Sequence, residues 1–220
     1  MLSLNKNNIT LYFEADKDKY TEYFNRLIND SKDILKFFNK SKLDKPLDII
    51  IWYDLDEYRA HRNKWLKQFK KEVKNWEIAS SINHPKSNHL INLLTYNEMI
   101  KTECHSNMKE EDEYITLLHE FVHTVHSEYR NYKDTLTYVN EGLACYLSGQ
   151  YKYKSPIFNS NRVDMVKGNT SYDNYYLFMK YMLENSDREY VLEFIKNPKM
   201  QKNDFDQIFN DFLFNKKRKM

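Results

Sequence analysis

The period of the hydrophobic pattern changes near residue 110, and this change constrains the fold more than any other feature of the sequence. Before it, short runs rich in β-branched and aromatic residues predict strands at Ile9–Glu14, Leu47–Tyr53 and His89–Thr95. After it, apolar residues recur at helical spacing towards the C-terminus. We therefore expect an α+β fold, with an N-terminal mixed β-sheet that carries helices and a helical C-terminal half.

The helices expected on both sides of this change have ordinary start signals. Glu110–Glu113 place negative charge where a helix N-terminus favours it, and Ser186 with Glu189 forms a capping box. We expect one helix between the first two strands and one after Asp54. Further helices are expected at about residues 112–130, 135–148, 172–185, 187–196 and 203–213.

Length and charge limit the organisation of the chain and its partners. The 220 residues suffice for a single domain, which we divide into an α/β subdomain at 1–109 and a helical subdomain at 110–220. Lys and Arg number 34 against 32 Asp and Glu, so the net charge is +2. This balance favours neither nucleic acid nor a membrane as a partner. The basic run from Lys216 to Lys219 is expected to be a solvated tail.

Cysteine content and the N-terminal segment bear on the cellular compartment. Two cysteines are too few for a disulfide framework, so the fold must depend on its core. Residues 1–10 are rich in Asn and Lys and lack the apolar run of an export signal, and no later segment is apolar for long enough to span a bilayer. We therefore expect a cytoplasmic protein.

The sequence HEFVH, from His119 to His123, places two histidines four positions apart in a predicted helix. Four residues correspond to about 40° of rotation and about 6 Å of rise, so both imidazoles face one point. A zinc ion needs two nitrogens that converge in this way from one rigid element. Glu120 lies about 100° around the helix from His119, where its carboxylate can act as a general base without binding the ion. We predict a zinc site with His119 and His123 as ligands.

The residues around this motif support the prediction. They are apolar, which keeps bulk water away from a metal ion: Leu117, Leu118, Phe121, Val122 and Val125. The alternative is an amphipathic core helix whose histidines are structural and are satisfied by hydrogen bonds. His126, one turn further on, is expected either to border the pocket or to be a structural histidine.

A zinc ion bound by three protein side chains requires a third ligand. The position six residues after His123, which is a histidine in metzincins, is Tyr129. Glu141 lies in the segment NEGLA, 18 residues after His123, on a helix that a short loop allows to fold back on the first. We predict Glu141 as the third ligand, with Gly142 permitting a close helix approach. The alternative for Glu141 is a solvated acid beside an apolar stripe.

HEFVH followed by NEGLA resembles the gluzincins, the thermolysin-like clan of zinc metallopeptidases, and particularly their small bacterial members. The resemblance is strongest from Leu117 to Leu147. It implies a zincin-like fold, in which an active-site helix lies beneath a mixed sheet and a cleft separates this part from the helical C-terminal half. It also implies one zinc ion per chain, and it makes the strand His89–Thr95 the edge of the sheet that lines the cleft.

The segment from Tyr172 to Leu183 resembles the helix that carries the active-site tyrosine of this family. The match favours Tyr172 as the residue that stabilises the oxyanion, with Tyr175 and Tyr176 as close alternatives. One departure is Cys145, which stands where thermolysin-like enzymes carry an acid that orients a histidine ligand. A different group must therefore accept the imidazole N–H, and three residues are available: Glu128, Asp134 and Asn140.

These residues together predict a zinc-dependent peptidase in which Glu120 is the general base and the substrate is a peptide or protein. The motif by which aminopeptidases of the clan hold a free amino terminus is absent, so we expect an endopeptidase. Two alternatives share the same residues. One is a non-catalytic protein that keeps a structural zinc site and binds a peptide or partner. The other is a zinc amidohydrolase acting on a non-peptide amide.

Overall fold

Five strands form one mixed sheet in the N-terminal part of the chain. The computed structural model describes residues 1–218, with side chains described to residue 216. The strands are β1 (Leu2–Lys6), β2 (Ile9–Phe13), β3 (Leu47–Trp52), β4 (Ala79–Ile82) and β5 (His89–Leu94). Their order across the sheet is β1-β2-β3-β5-β4. Strands β2, β3 and β5 run parallel, and β1 and β4 are antiparallel to their neighbours.

Helices accompany the sheet and make up most of the remaining chain, so the α+β class is confirmed. Those before residue 110 are α1 (Lys17–Phe37), α2 (Leu55–Leu66) and α3 (Tyr96–Met99). Those after it are α4 (Glu110–Tyr129), α5 (Thr137–Leu147), α6 (Arg162–Lys167), α7 (Tyr172–Asn185), α8 (Arg188–Lys196) and α9 (Pro198–Arg218). Among the described helices, none combines the length and the apolar character needed to cross a bilayer.

The chain divides into two compact units, Met1–Val125 and His126–Met220. The division falls inside α4. His119, Glu120 and His123 therefore belong to the first unit, whereas Glu141 and Tyr172 belong to the second. The subdomain boundary that the sequence suggests, at residue 109, stays a prediction.

In the first unit, strand alternation and a helix face build the core. The inward side chains of β2 and β3 are almost completely buried: Ile9, Leu11, Phe13, Leu47, Ile49 and Ile51. Helix α1 buries Tyr20, Phe24 and Leu27 at helical spacing. Asp54 caps α2 by accepting hydrogen bonds from two backbone N–H groups of its first turn.

A buried carboxylate joins α1 to α4. Glu113 is fully buried, and it accepts hydrogen bonds from Lys19 Nζ at 2.7 Å and Tyr20 Oη at 2.8 Å. The backbone N–H of Tyr96 donates to the same carboxylate at 3.0 Å. A buried charge needs partners of this kind, since an unpaired one would cost several kcal/mol. This network fixes the N-terminal part of the helix that carries HEFVH.

The second unit is held by helix packing and an aromatic core. A hypothetical Cβ on Gly142 of α5 would come within 2.4 Å of the carbonyl oxygen of Tyr175 on α7. Gly142 therefore permits a close approach between α5 and α7, and its expected role in the approach of α5 to the HEFVH helix stays a prediction. Five aromatic rings, linked by ring contacts into one cluster, lie in the core: Tyr138, Phe178, Phe205, Phe209 and Phe212.

The placement of strand β5 corrects an expectation. The resemblance to gluzincins made His89–Thr95 the edge of the sheet, but β5 (His89–Leu94) lies between β3 and β4 and pairs with both. The edge strand on that side is β4, Ala79–Ile82, which was not among the predicted strands. Its sequence, ASSI, is short and polar, and therefore lacks the apolar signal of a strand.

The ends of two C-terminal helices also differ from the prediction. Asp187 caps α8 by accepting hydrogen bonds from the N–H groups of Glu189 and Tyr190, so the capping residue is Asp187 and not Ser186. Helix α9 begins at Pro198, where a proline fits because the first helical N–H needs no acceptor. Of the predicted basic tail, Lys216 donates to the Phe158 carbonyl at 2.7 Å, and Lys219 lies outside the described residues.

Candidate metal centre

Helix α4 brings the two histidines of HEFVH together as the sequence predicts. The Nε2 atoms of His119 and His123 lie 3.0 Å apart. Their ring centroids are 4.6 Å apart and the ring planes are nearly perpendicular, at 85°. The two nitrogens therefore point towards one small region beside the helix.

The chemistry of this pair fits a divalent cation. Two imidazole nitrogens, each about 2.1 Å from a tetrahedral zinc ion, would lie about 3.4 Å apart, close to the separation found. Two bare lone pairs at this distance repel unless a proton or a cation lies between them. The separation fits a metal site, and it also fits the alternative of a hydrogen bond from one imidazole to the other.

Glu120 lies close to both histidines. Each of the three residues His119, Glu120 and His123 has a potential ligand atom that lies within 4.8 Å of those of the other two. In the part of the chain that the structure describes, no second group of three or more His, Cys, Asp or Glu side chains meets this distance. The motif thus yields a compact donor cluster with a carboxylate at its side.

The surroundings of the cluster are apolar, as expected. Leu117, Phe121 and Val122 on the same helix are at most 1% exposed. His119 remains 7% exposed, and Glu120 and His123 remain 9% exposed. The three functional groups are thus sheltered from bulk water but not sealed from it.

Glu141 lies in the first half of α5, in the second unit. Its side chain is half-buried, and its Oε1 accepts a hydrogen bond from Nδ2 of Asn140 at 3.2 Å. Asn140 was one of three residues expected to support a histidine ligand; of the other two, Glu128 is buried and Asp134 is exposed. The role of Glu141 as third zinc ligand stays a prediction.

The three tyrosines of α7 have different environments. Tyr172, the first residue of the helix, is half-buried, and its ring centroid lies 6.2 Å from that of Tyr175. Tyr175 is 1% exposed, and burial, followed by the negative charge of Glu141, raises its pKa. Tyr176 stacks on Tyr151 with 4.5 Å between ring centroids. The negative charge of the proposed third ligand therefore contributes to the raised pKa of Tyr175.

Two further residues that the sequence raised have structural surroundings. His126 is fully buried, and its Nε2 lies 3.1 Å from the carbonyl oxygen of Ile195, which supports its structural reading. Cys145 is also fully buried, and its pKa is raised by burial first and then by the charges of Glu141 and Asp173. A thiol with a raised pKa stays protonated and is a poor metal ligand.

Comparison of the chain with models of known protein families, with curated proteins and with solved structures finds no match.

Proposed function

We propose that this protein is a zinc-dependent peptidase of the gluzincin type with a zincin-like fold. The observation that carries the proposal is the 3.0 Å separation of the His119 and His123 Nε2 atoms, with the Glu120 carboxylate beside them. The apolar neighbours on α4 support it, because catalysis by a metal benefits from a site sheltered from water. The mixed sheet with an antiparallel edge strand before this helix is compatible with a zincin-like arrangement.

In this proposal, His119 and His123 hold the ion and Glu120 performs the proton transfers. A zinc ion held by the two histidines would supply Lewis-acid chemistry for hydrolysis near neutral pH. Glu120 lies within reach of the histidines but on a different side of the helix, so it is free to accept the proton of the attacking water. Glu120 then passes the proton to the leaving amine.

Glu141 is our proposed third ligand, and its support comes from sequence. Two histidines and a glutamate complete a three-ligand catalytic zinc site and leave one position open. Tyr172 is our proposed oxyanion donor, with Tyr175 and Tyr176 as alternatives. The substrate is a peptide or protein cleaved internally, because the chain lacks the motif that holds a free amino terminus.

The decisive experiment compares zinc content with hydrolysis in a pair of matched variants. The purified protein should hold about one zinc ion per chain by elemental analysis and should cleave members of a peptide library until a chelator is added. Glu120→Gln keeps the size of the side chain but cannot accept a proton. It should therefore retain zinc and lose at least about 100-fold in hydrolysis.

Glu111→Gln is the matched control, because Glu111 lies on the same helix but pairs with Arg26. It should retain both zinc and hydrolysis. Wild-type cleavage by Glu120→Gln would remove Glu120 as the base. Zinc binding without cleavage of any peptide would instead favour the non-catalytic or amidohydrolase alternatives.

A further inference from the structure

A short segment of the first unit carries a concentration of lysine and aromatic residues. Residues 64–76, KWLKQFKKEVKNW, cover the end of α2, a 3-10 turn at Lys67–Phe69 and part of the connection to β4; we call them the basic aromatic segment. Its five lysines and one glutamate give a net charge of +4, whereas the whole chain carries +2. The rest of the chain therefore carries a net charge of −2, so the net charge of the whole chain does not reveal this basic segment.

The charged and aromatic groups of the segment face solvent. All five lysines are exposed: Lys64, Lys67, Lys70, Lys71 and Lys74. Phe69 is 54% exposed and Trp76 is 45% exposed, which is unusual for rings of this size. In the part of the chain that the structure describes, none of the five ammonium groups forms an ion pair. Their charge is thus available to an external partner.

The exposure of these groups does not result from a loose loop, because the inner side of the connection is fastened to α2. Asn63 accepts a hydrogen bond from the N–H of Val73 at 2.8 Å, and Arg59 donates to the carbonyl of Asn75 at 3.0 Å. Just after the segment, Glu77 accepts hydrogen bonds from the buried side chains of Tyr58 and Arg62, at 2.9 and 2.7 Å. Hydrogen bonds therefore fix the inner side of the connection against α2, while the lysines and aromatic rings of the segment remain exposed.

We propose that the basic aromatic segment binds reversibly to the surface of anionic lipid bilayers. Exposed rings gain free energy when they leave water, and Trp favours the headgroup region of a bilayer. Lysines near the surface are attracted by the negative potential of anionic lipids. A preformed turn that presents both kinds of group resembles the composition of interfacial membrane anchors. The expectation of no membrane partner rested on the net charge of the whole chain and on the lack of an apolar run that could span a bilayer; this proposal concerns binding to the bilayer surface only.

Single-stranded nucleic acid is the competing polyanion, and the segment suits it less well. Binding of that kind uses free aromatic faces on which bases stack. Here the ammonium group of Lys74 lies 5.1 Å from the ring centroid of Trp76, and the ring centroids of Phe69 and Trp65 are 4.9 Å apart. The segment also contains no arginine, the residue best suited to planar recognition of phosphate.

Vesicle binding tests the proposal directly with the full chain. The protein should cosediment with vesicles of phosphatidylcholine and phosphatidylserine at low salt, should bind pure phosphatidylcholine vesicles much more weakly, and should dissociate as salt is raised. Tryptophan emission should shift to shorter wavelength on binding, and Trp76→Phe should remove most of that shift. No binding to the anionic vesicles at low salt would overturn the proposal.

Variants of exposed residues locate the binding surface. The double variant Lys70→Gln, Lys71→Gln should bind anionic vesicles about 25-fold more weakly, from about 5-fold for each lysine. Phe69→Ser should weaken binding several-fold at unchanged charge. The matched control is Lys152→Gln with Lys154→Gln, which flank the 88% exposed Tyr153 in the second unit, and it should bind as the wild type does.

Two results would place the interaction elsewhere. Equal losses in the segment variants and in the control would show that binding follows total charge, and tighter binding to single-stranded DNA that is lost in the same variants would identify nucleic acid as the partner. Either result overturns the proposal. Unfolding midpoints of all variants should stay close to that of the wild type, because every substituted side chain is exposed and Trp76→Phe keeps an aromatic ring. Phe69 packs on Trp65 and Lys154 lies 5.5 Å from the ring centroid of Tyr151, but both substituted side chains are at the surface.

Discussion

Gly142 lies at a close approach between α5 and α7. A Cβ there would lie 2.4 Å from the Tyr175 carbonyl oxygen and 2.5 Å from Met179 Cγ, both far below contact distance. Alanine is otherwise the better helix former by about 1 kcal/mol, so in an uncrowded helix the substitution would stabilise. We expect Gly142→Ala to destabilise by about 1–3 kcal/mol instead, measured by urea unfolding.

A second variant separates the two contacts of Gly142. Met179→Ala removes the flexible side chain but leaves the carbonyl of Tyr175 in place. Gly142→Ala should therefore still destabilise the Met179→Ala background. A gain in stability there would show that the backbone contact is not limiting.

The hydroxyl groups of the α7 tyrosines test the proposed mechanism at the level of single atoms. One oxyanion donor is worth about 2.7–4 kcal/mol, and it acts chiefly in the transition state. Tyr172→Phe should thus lower kcat by roughly 10–1000-fold, change KM little and leave zinc content and fold intact. The measurement is steady-state kinetics on a cleaved peptide.

Tyr175→Phe and Tyr176→Phe are the matched comparisons for this prediction. Tyr176 stacks through its ring, which phenylalanine preserves, so its variant should keep wild-type kcat. Unchanged kcat in Tyr172→Phe with a large loss in Tyr175→Phe would move the role to the buried tyrosine. No loss in any of the three variants would remove α7 from the mechanism.

Single residues differ in how well sequence predicts them. The convergence of His119 and His123 depends only on helical spacing within one element, so five letters of sequence suffice to predict it. The partner of Gly142 depends on which helix packs against α5, and no local pattern encodes that choice. Tyr175 is buried whereas Tyr172 is half-buried, and this difference likewise follows from tertiary packing.

At the scale of elements, an ion pair on the surface supplements the buried Glu113 network between α1 and α4. Arg26 Nη2 on α1 donates to Glu111 Oε1 on α4 at 2.5 Å. This hydrogen bond, more than any other interaction, lowers the pKa of Glu111. The carboxylate is 55% exposed, so solvent screening limits the contribution to at most about 1 kcal/mol.

The sign of the pH dependence follows from this lowered pKa. Between the folded and unfolded pKa values of Glu111 the unfolded chain binds more protons, so the contribution to stability is complete above the unfolded value, about 4.3, and disappears as pH falls through the folded value. We expect Glu111→Gln to unfold more easily than the wild type at pH 7, by less than about 1 kcal/mol. The difference should shrink as pH falls below the unfolded value of about 4.3, as measured by urea unfolding.

Arg26 supplies the control for this prediction. In an Arg26→Gln background the pair is already absent, so Glu111→Gln should have no further effect at pH 7. A difference between Glu111→Gln and wild type that persists unchanged at pH 3 would assign the effect to something other than the charge.

Elements in which apolar residues recur clearly at helix or strand spacing could be predicted from the sequence, whereas elements with a weak apolar pattern could not. Strands β2, β3 and β5 and helices α4, α5, α7 and α8 lie within a few residues of their expected positions. Strand β1 has no buried side chain, and β4 contains two serines, so neither carries a hydrophobic signal. The interior position of β5 depends on its pairing with β4, and a strand that was not predicted could not be used to place its neighbour.

At the scale of the whole molecule, a bound metal ion should appear as added stability. A ligand that binds only the native state stabilises it by about 2.7 kcal/mol when its free concentration is 100 times Kd. For a chain of 150–250 residues each kcal/mol corresponds to about 2–4 °C in Tm. Removal of zinc by a chelator should therefore lower the Tm of the wild type by about 5–10 °C, and added zinc should restore it.

The same measurement in ligand variants tests which side chains hold the ion. His119→Ala and His123→Ala should lose both the zinc, by elemental analysis, and the chelator-dependent shift in Tm, because each removes half of the converging pair. Glu120→Gln should keep the zinc and the shift, since its carboxylate is the base and not a ligand. Glu141→Ala is the sharpest case. Our proposal requires a large loss of zinc and of the shift, and full occupancy with an unchanged shift would exclude a gluzincin ligand set and require a third ligand elsewhere in the chain.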